Sequence, residues 1–315
     1  MKKGLLIAAA ALCGLGIVCF LIAGFLTGFH FSQKGVWKTE TRTYELNDNN
    51  FTKINLSTGD MNVSFYPSEN GKNYLVCKEM PDCAVEMTVS NGTLTVKKTG
   101  NGHWFGIFVG EESATFYLTK TAFEALNLEC GSGSVTIGAG FSFEKADITC
   151  GSGGILLGAK TKFLTAKTGS GDLQLDSFNG ETATLTSKSG QITVKNSVFS
   201  GLLTAASESG KTEINHVTAG SIEIKSTSGD ILLDHATATG ELTAQADSGE
   251  ISLAGADAAG LTLKSKSGDI TGTLQSEKIF ITSSKSGRVE VPESLSGGKC
   301  KATTDSGNIR LSFET

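Results

Sequence analysis

The chain has 315 residues, a net charge of −5 and only three arginines (Arg42, Arg288, Arg310), so it lacks the basic footprint that nucleic-acid binding requires. Glycine stands at 39 residues and proline at 3, whereas disordered low-complexity chains enrich both. The glycine excess therefore asks for a structural cause.

In chain order, Met1-Lys2-Lys3 precedes twenty-six uncharged residues, Gly4 to Phe29. About 20 apolar residues span a hydrocarbon core, whereas the apolar stretch of a cleavable signal runs to about 7–15. No small-residue cleavage site follows, and Leu12 and Val18 precede Cys13 and Cys19 where a lipoprotein signal wants a small side chain. The expectation is a transmembrane anchor over 4–29, a cytoplasmic stub over 1–3 and a short stalk over 30–40. Lys2 and Lys3 favour a cytoplasmic N-terminus, although Lys34, Lys38 and Arg42 weigh against them from the other side. The reading is a single-pass cell-membrane protein with its C-terminal domain outside the cell.

Residues 41–120 read as an irregular β cap. Ser57-Thr58-Gly59-Asp60 followed by Met61 and Val63 looks like a first rung, and Asn91-Gly92 between two alternating apolar runs predicts a hairpin. Trp104, Phe105 and Phe108 form a contact patch for a partner if exposed, and pack the cap onto the first rungs if not.

From residue 121 a repeat takes over. A Ser-Gly step (once Gly-Ser-Gly-Gly) places glycine at 133, 153, 171, 190, 210, 229, 249, 268, 287 and 307, at intervals of 18 to 20. Two and four residues after it stand aliphatic columns such as Ile231 and Leu233, with polar residues between, which is the period of a half-buried strand. Seven and five before it a second strand alternates large with small, as in Leu164 and Ala166. Three before it every residue is small (Cys130, Cys150, Thr168, Ser187 and successors), a ladder able to hydrogen-bond the backbone. The glycine is read as supplying unusual turn angles, and Gly180, Gly201, Gly220, Gly240 and Gly260 as marking a looser second turn. The prediction is an all-β, single-domain β-solenoid of about ten rungs of 19–20 residues, each strand, tight turn, strand, looser turn, stacked so that equivalent positions meet.

With those columns aligned, the chain resembles the bacterial "putative adhesin" family of β-solenoid domains of unknown function. The resemblance rests on Gly-Ser-Gly-Ser-Val-Thr-Ile (131–137), Gly-Ser-Gly-Asp-Leu-Gln-Leu (169–175), Phe116-Tyr117-Leu118 and Asn-Gly-Thr-Leu (91–94), and covers about residues 40–315. It implies a surface protein behind a membrane segment and brings no catalytic or binding residues.

Candidate sites are few. Cys77 and Cys83 lie close enough in sequence to pair in an oxidising compartment. Asp230, Glu250 and Asp269 follow three successive glycines and stack as carboxylates that can hold a cation; a solvated face, closed by Lys211 and Arg288, accounts for them better. His216 and His235, each six after its glycine, stack at a turn, with no third ligand evident. No G-x-S-x-G elbow or complete phosphate loop occurs. No catalytic, metal or cofactor site is expected. The functional expectation is a non-catalytic envelope surface module, adhesin-like or structural, meeting an unidentified protein or glycan. It also self-associates through the open strand edge at Leu311–Thr315. The alternatives are a membrane-anchored regulator or sensor of envelope signalling, and a carbohydrate-active β-helix enzyme.

Overall fold

Alternation fixes which side chains turn inward, and the computed structural model shows where they meet. It describes residues 36–81, 83–100 and 107–314, of which 36, 37 and 107–109 are described by backbone alone. The expected anchor over 4–29, the stub over 1–3, most of the stalk, and Trp104 and Phe105 lie outside the described residues. Among the described residues no helix is long and apolar enough to cross a membrane. Val36–Lys38 and Ile107–Val109 pair in parallel as a small separate unit.

The main unit is an all-β solenoid. Ile231 pairs with Ile251 and Leu233 with Leu253 across adjacent parallel strands, so successive repeats coil one over the next. The predicted inward columns are buried: Leu242, Ala244, Ile251 and Leu263 are each fully enclosed. Tight burial of paired large and small side chains fills the narrow interior at the density of an ordinary core.

Rungs in the middle of the stack have three faces, not the two predicted. In the Gly210 rung the faces are 212–215, 217–219 and 222–226, all within one continuous strand, Thr212–Ser226. Each pairs with the corresponding face of the next rung, and the pairing skips residue 216 and shifts register between Ala219 and Ile222. The corner at 216 is a single left-handed residue. Ser177, Asn196, His216, His235 and Gly255, all six after their glycines, have φ between 48° and 60°. The middle face went unnoticed because its inward positions do not form a uniform column: Phe178 and Phe199 stand where later rungs carry Val217, Ala219, Ala236 and Ala238.

The glycine column is continuous but serves a different purpose from the one expected. None of the ten glycines has a positive φ. A Cβ on Gly210 would instead fall well inside 3.0 Å of the Gly190 carbonyl oxygen, and the same collision recurs up the stack. Glycine is required because backbones of adjacent rungs nearly touch at this corner. The small column beside it works as read: the Ser226 hydroxyl donates to the Gly229 carbonyl at 2.6 Å and accepts from the Gly229 N–H at 2.9 Å. Thr168, Ser187, Ser265, Ser284 and Thr304 hold the same corner in their own rungs.

Both ends depart from sequence order. Leu261 pairs with Cys300 and Ile270 with Ile309, while Phe280 pairs with Cys300 from the other side. The last rung in the sequence is thus inserted beneath the one before it, which becomes outermost. The inserted rung presents Cys300, Ala302, Ile309 and Leu311, all buried. The displaced rung carries polar Thr282 in an otherwise mostly aliphatic column and is left with one side open to water, where that hydroxyl costs least. At the other end, Lys53–Gly59 lies between Thr93–Thr99 and Ala122–Cys130, so the first rung is likewise internal. Antiparallel strands cover this end: Ala84–Ser90 on Thr93–Thr99, and Tyr74–Glu79 between Glu40–Glu45 and Ser113–Leu118. The predicted hairpin is present, with Asn91 at φ 51° and Gly92 at φ 71°, the angles its two-residue turn needs.

Candidate functional site

The acidic column is committed to the fold. Asp230 Oδ1 accepts the backbone N–H of Glu250 at 2.9 Å, and Asp269 Oδ1 accepts that of Asn308 at 2.7 Å. Asp172 and Asn308 do the same for Gln191 and Arg288. Side chains one after the glycine therefore cap the next rung outward. Glu250 instead accepts the hydroxyls of Ser252 and Thr271. The expected neighbour of Asp269 was Arg288; rung insertion puts Asn308 there.

The histidine corner is better organised than its sequence suggests. His216 and His235 stack with ring centroids 4.7 Å apart and planes 10° from parallel. His216 Nδ1 lies 2.8 Å from Asn215 Oδ1, and His235 Nδ1 lies 2.7 Å from Asp234 Oδ1. The Asn215 amide donates to Asp234 Oδ2 at 2.8 Å, which ties the two rungs together beside the rings. Sequence reasoning saw the imidazoles and missed Asp234. The signal was its place immediately before His235, on the same corner.

Titratable groups displaced from their ordinary behaviour are structural. Burial pushes the thiols of Cys77 and Cys300 up to about 12, so neither is a reactive thiolate. Cys77 is a buried thiol, and the bridge in the structure joins Cys130 to Cys150, neighbours in the small-residue column. Tyr44, raised by burial and by its hydrogen bond to Glu79, belongs to a cluster in which Arg42 meets the same carboxylate at 3.0 Å.

Exposed Tyr66 and half-buried Tyr117 and Tyr74 stand in a row on the outer face near the capped end. Centroids are 5.9 Å apart for Tyr66 and Tyr117 and 4.6 Å for Tyr74 and Tyr117. Tyr66 is 49% exposed. The repeated Phe-Tyr at 65–66 and 116–117 was the available clue. The side chain of Phe108 lies outside the description, as do Trp104 and Phe105.

The family profile described as Toastrack DUF4097 matches residues 51–312. The chain belongs to this family. Solved structures of similar fold include three from Parabacteroides species. One, a putative adhesin from Parabacteroides merdae, superposes with a TM-score of 0.52 at 14% identity, covering 75% of this chain and 96% of its own. A putative adhesin from Parabacteroides distasonis gives 0.51 at 12% identity, covering 88% and 99%. A protein from the same species described as a putative lipid binding protein gives 0.51 at 14% identity, covering 89% and 100%. No curated protein matches the chain. At these identities the likeness is one of fold.

Proposed function

We propose that this chain is a membrane-tethered, non-catalytic surface module of the cell envelope, adhesin-like or structural, whose outer faces and free end meet partners. The observation that carries the reading is the filled interior together with the acid ladder. Asp230 and Asp269, two of the three successive carboxylates in that column, already accept backbone N–H groups within the stack. Sites for chemistry normally gather in a concave pocket with perturbed groups; here the perturbed groups are enclosed thiols and partnered side chains. A Cys130–Cys150 bridge fits an oxidising compartment, and the uncharged stretch 4–29 fits a tether. The adhesin descriptions of two similar structures agree with the reading. The test is the full chain in liposomes, applied to glycan arrays and envelope proteins while turnover is monitored. Binding without turnover is expected; glycan cleavage that disappears in Asp230→Asn, with folding intact, would overturn the proposal.

We propose also that the outermost C-terminal rung meets a second copy. Lys278–Ser284 is paired along one edge only, and Ile279 and Ile281 are exposed on it. Natural proteins normally cover such an edge. An antiparallel meeting centred on Ile281 sets Glu277 of each copy opposite Lys285 of the other, a self-complementary pattern suited to a two-fold contact. Phe280, Val291 and Leu295 line an open hollow beside it. This edge adds to the terminal one expected from sequence: of the terminal strand, the displaced rung pairs with Ile309 and Arg310 only, and 311–313 is paired with 272–274 alone. Sedimentation of the full chain in detergent should show a dimer that Ile281→Lys dissociates; a monomer at high concentration rules the contact out.

A further inference from the structure

We infer that His216, His235 and Asp234 form a binding site for a divalent first-row transition ion. The left-handed corner needs only a residue that tolerates positive φ, and Ser177, Asn196 and Gly255 fill it in other rungs. Two successive imidazoles exceed that requirement.

Their hydrogen bonds arrange them as ligands. Asn215 Oδ1 and Asp234 Oδ1 are acceptors against the two Nδ1 atoms. The proton of each neutral ring is thereby held on Nδ1, and the Nε2 lone pair is left facing outward. A carboxylate behind a ligating histidine is the usual outer partner that fixes the tautomer and raises ligand basicity. From behind the His235 ring, Asp234 also adds a negative charge near the cation. One donor atom from each of the three residues lies within 4.8 Å of the others. Two nitrogens at about 2.0–2.1 Å from one ion stand roughly 3.4 Å apart. The ring centroids are 4.7 Å apart in the stacked arrangement, and the exposed side chains rotate out of parallel to bring the two Nε2 atoms to one ion. Imidazole suits zinc, copper and nickel, while an oxygen-only ion such as calcium gains nothing from this donor set. The ion clips two adjacent rungs together and keeps open positions for water or a donor from a partner.

The test titrates Zn²⁺ and Cu²⁺ chloride into the full chain in detergent, read by calorimetry and by thermal unfolding, against a His216→Asn/His235→Asn double variant and Asp234→Asn. Asparagine is chosen because Asn196 adopts φ 50° at this same column, so the corner is preserved. The unaltered chain should take up a single equivalent and unfold at a higher temperature when loaded. The double variant should lose both effects, and Asp234→Asn should bind about tenfold more weakly. Equal uptake by the double variant, or no uptake by the unaltered chain, overturns the site. Nitrogen hyperfine splitting from two imidazoles in the Cu²⁺ spectrum of the unaltered chain decides the matter should the variants fail to fold; its absence also overturns it.

Discussion

Thr212 is the polar residue in a column that is otherwise aliphatic, two after the ladder glycine. It is fully buried, and its hydroxyl has no hydrogen-bond partner. A buried hydroxyl left unpaired costs about 1–3 kcal/mol. Thr212→Val keeps the shape and removes that cost, so the variant should be more stable by about 1–2 kcal/mol in denaturant titration; an unchanged or lower midpoint would contradict the assignment. Glycine gives the opposite contrast. Gly210→Ala drives a methyl into the Gly190 carbonyl and should cost about 3 kcal/mol or more, because a backbone atom cannot step aside as a side chain does. Gly138→Ala opens into empty space and should stay within about 0.5 kcal/mol. Equal effects at the two positions would mean that backbone freedom, not close approach, selects glycine.

Between elements, the ion pair of Lys278 with Asp257 links the outermost rung to the body of the stack. The Lys278 side chain is 4% exposed and its ammonium lies 2.6 Å from Asp257 Oδ1. Ser276 donates to the same oxygen at 2.9 Å. Burial alone would raise the Asp257 pKa; the hydrogen bonds from Lys278 and Ser276 and the lysine charge outweigh it, and the net direction is down. A carboxyl held low when folded stabilises the fold above its unfolded value of about 3.9. That contribution disappears as pH falls through the lowered folded value. Stability of the unaltered chain should therefore decline below about pH 4 more steeply than in Asp257→Ala. At neutral pH that variant strands a buried ammonium and should lose about 3 kcal/mol. Adding Lys278→Met should restore most of it, since removing both charges leaves nothing unpaired. A double variant as unstable as the single one would refute the pairing.

For the whole molecule, the crossed order of the end rungs makes a prediction no linear repeat would make. Residues 298–304 lie between two paired neighbours, while 278–284 has one. Amide hydrogen exchange should be faster in 278–290 than in 298–310, although the latter is nearer the chain end. Protection falling steadily toward the C-terminus would mean that rungs stack in sequence order. The same crossing leaves Lys278–Ser284 paired on one side, with Ile279 and Ile281 exposed.

The repeat, its inward columns, the hydroxyl ladder and the Asn91-Gly92 hairpin were all legible in sequence, because each depends on residue type at fixed local spacing. Alternation of period two and turn chemistry act over a few residues, and stacking copies them along the coil. Tertiary structure decided what depends on which copy lies beside which. The third face was hidden because its inward residues change size from rung to rung, from Phe178 and Phe199 to Ala236 and Ala238. The rung order at both ends, the Cys130–Cys150 bridge, the Asn308 neighbour of Asp269 and the approach of Asp234 to the stacked histidines are contacts between rungs. A one-dimensional pattern gives each rung the same appetite for a neighbour; only the packing of Phe280, Thr282 and Lys278 against their surroundings chooses which neighbour it gets.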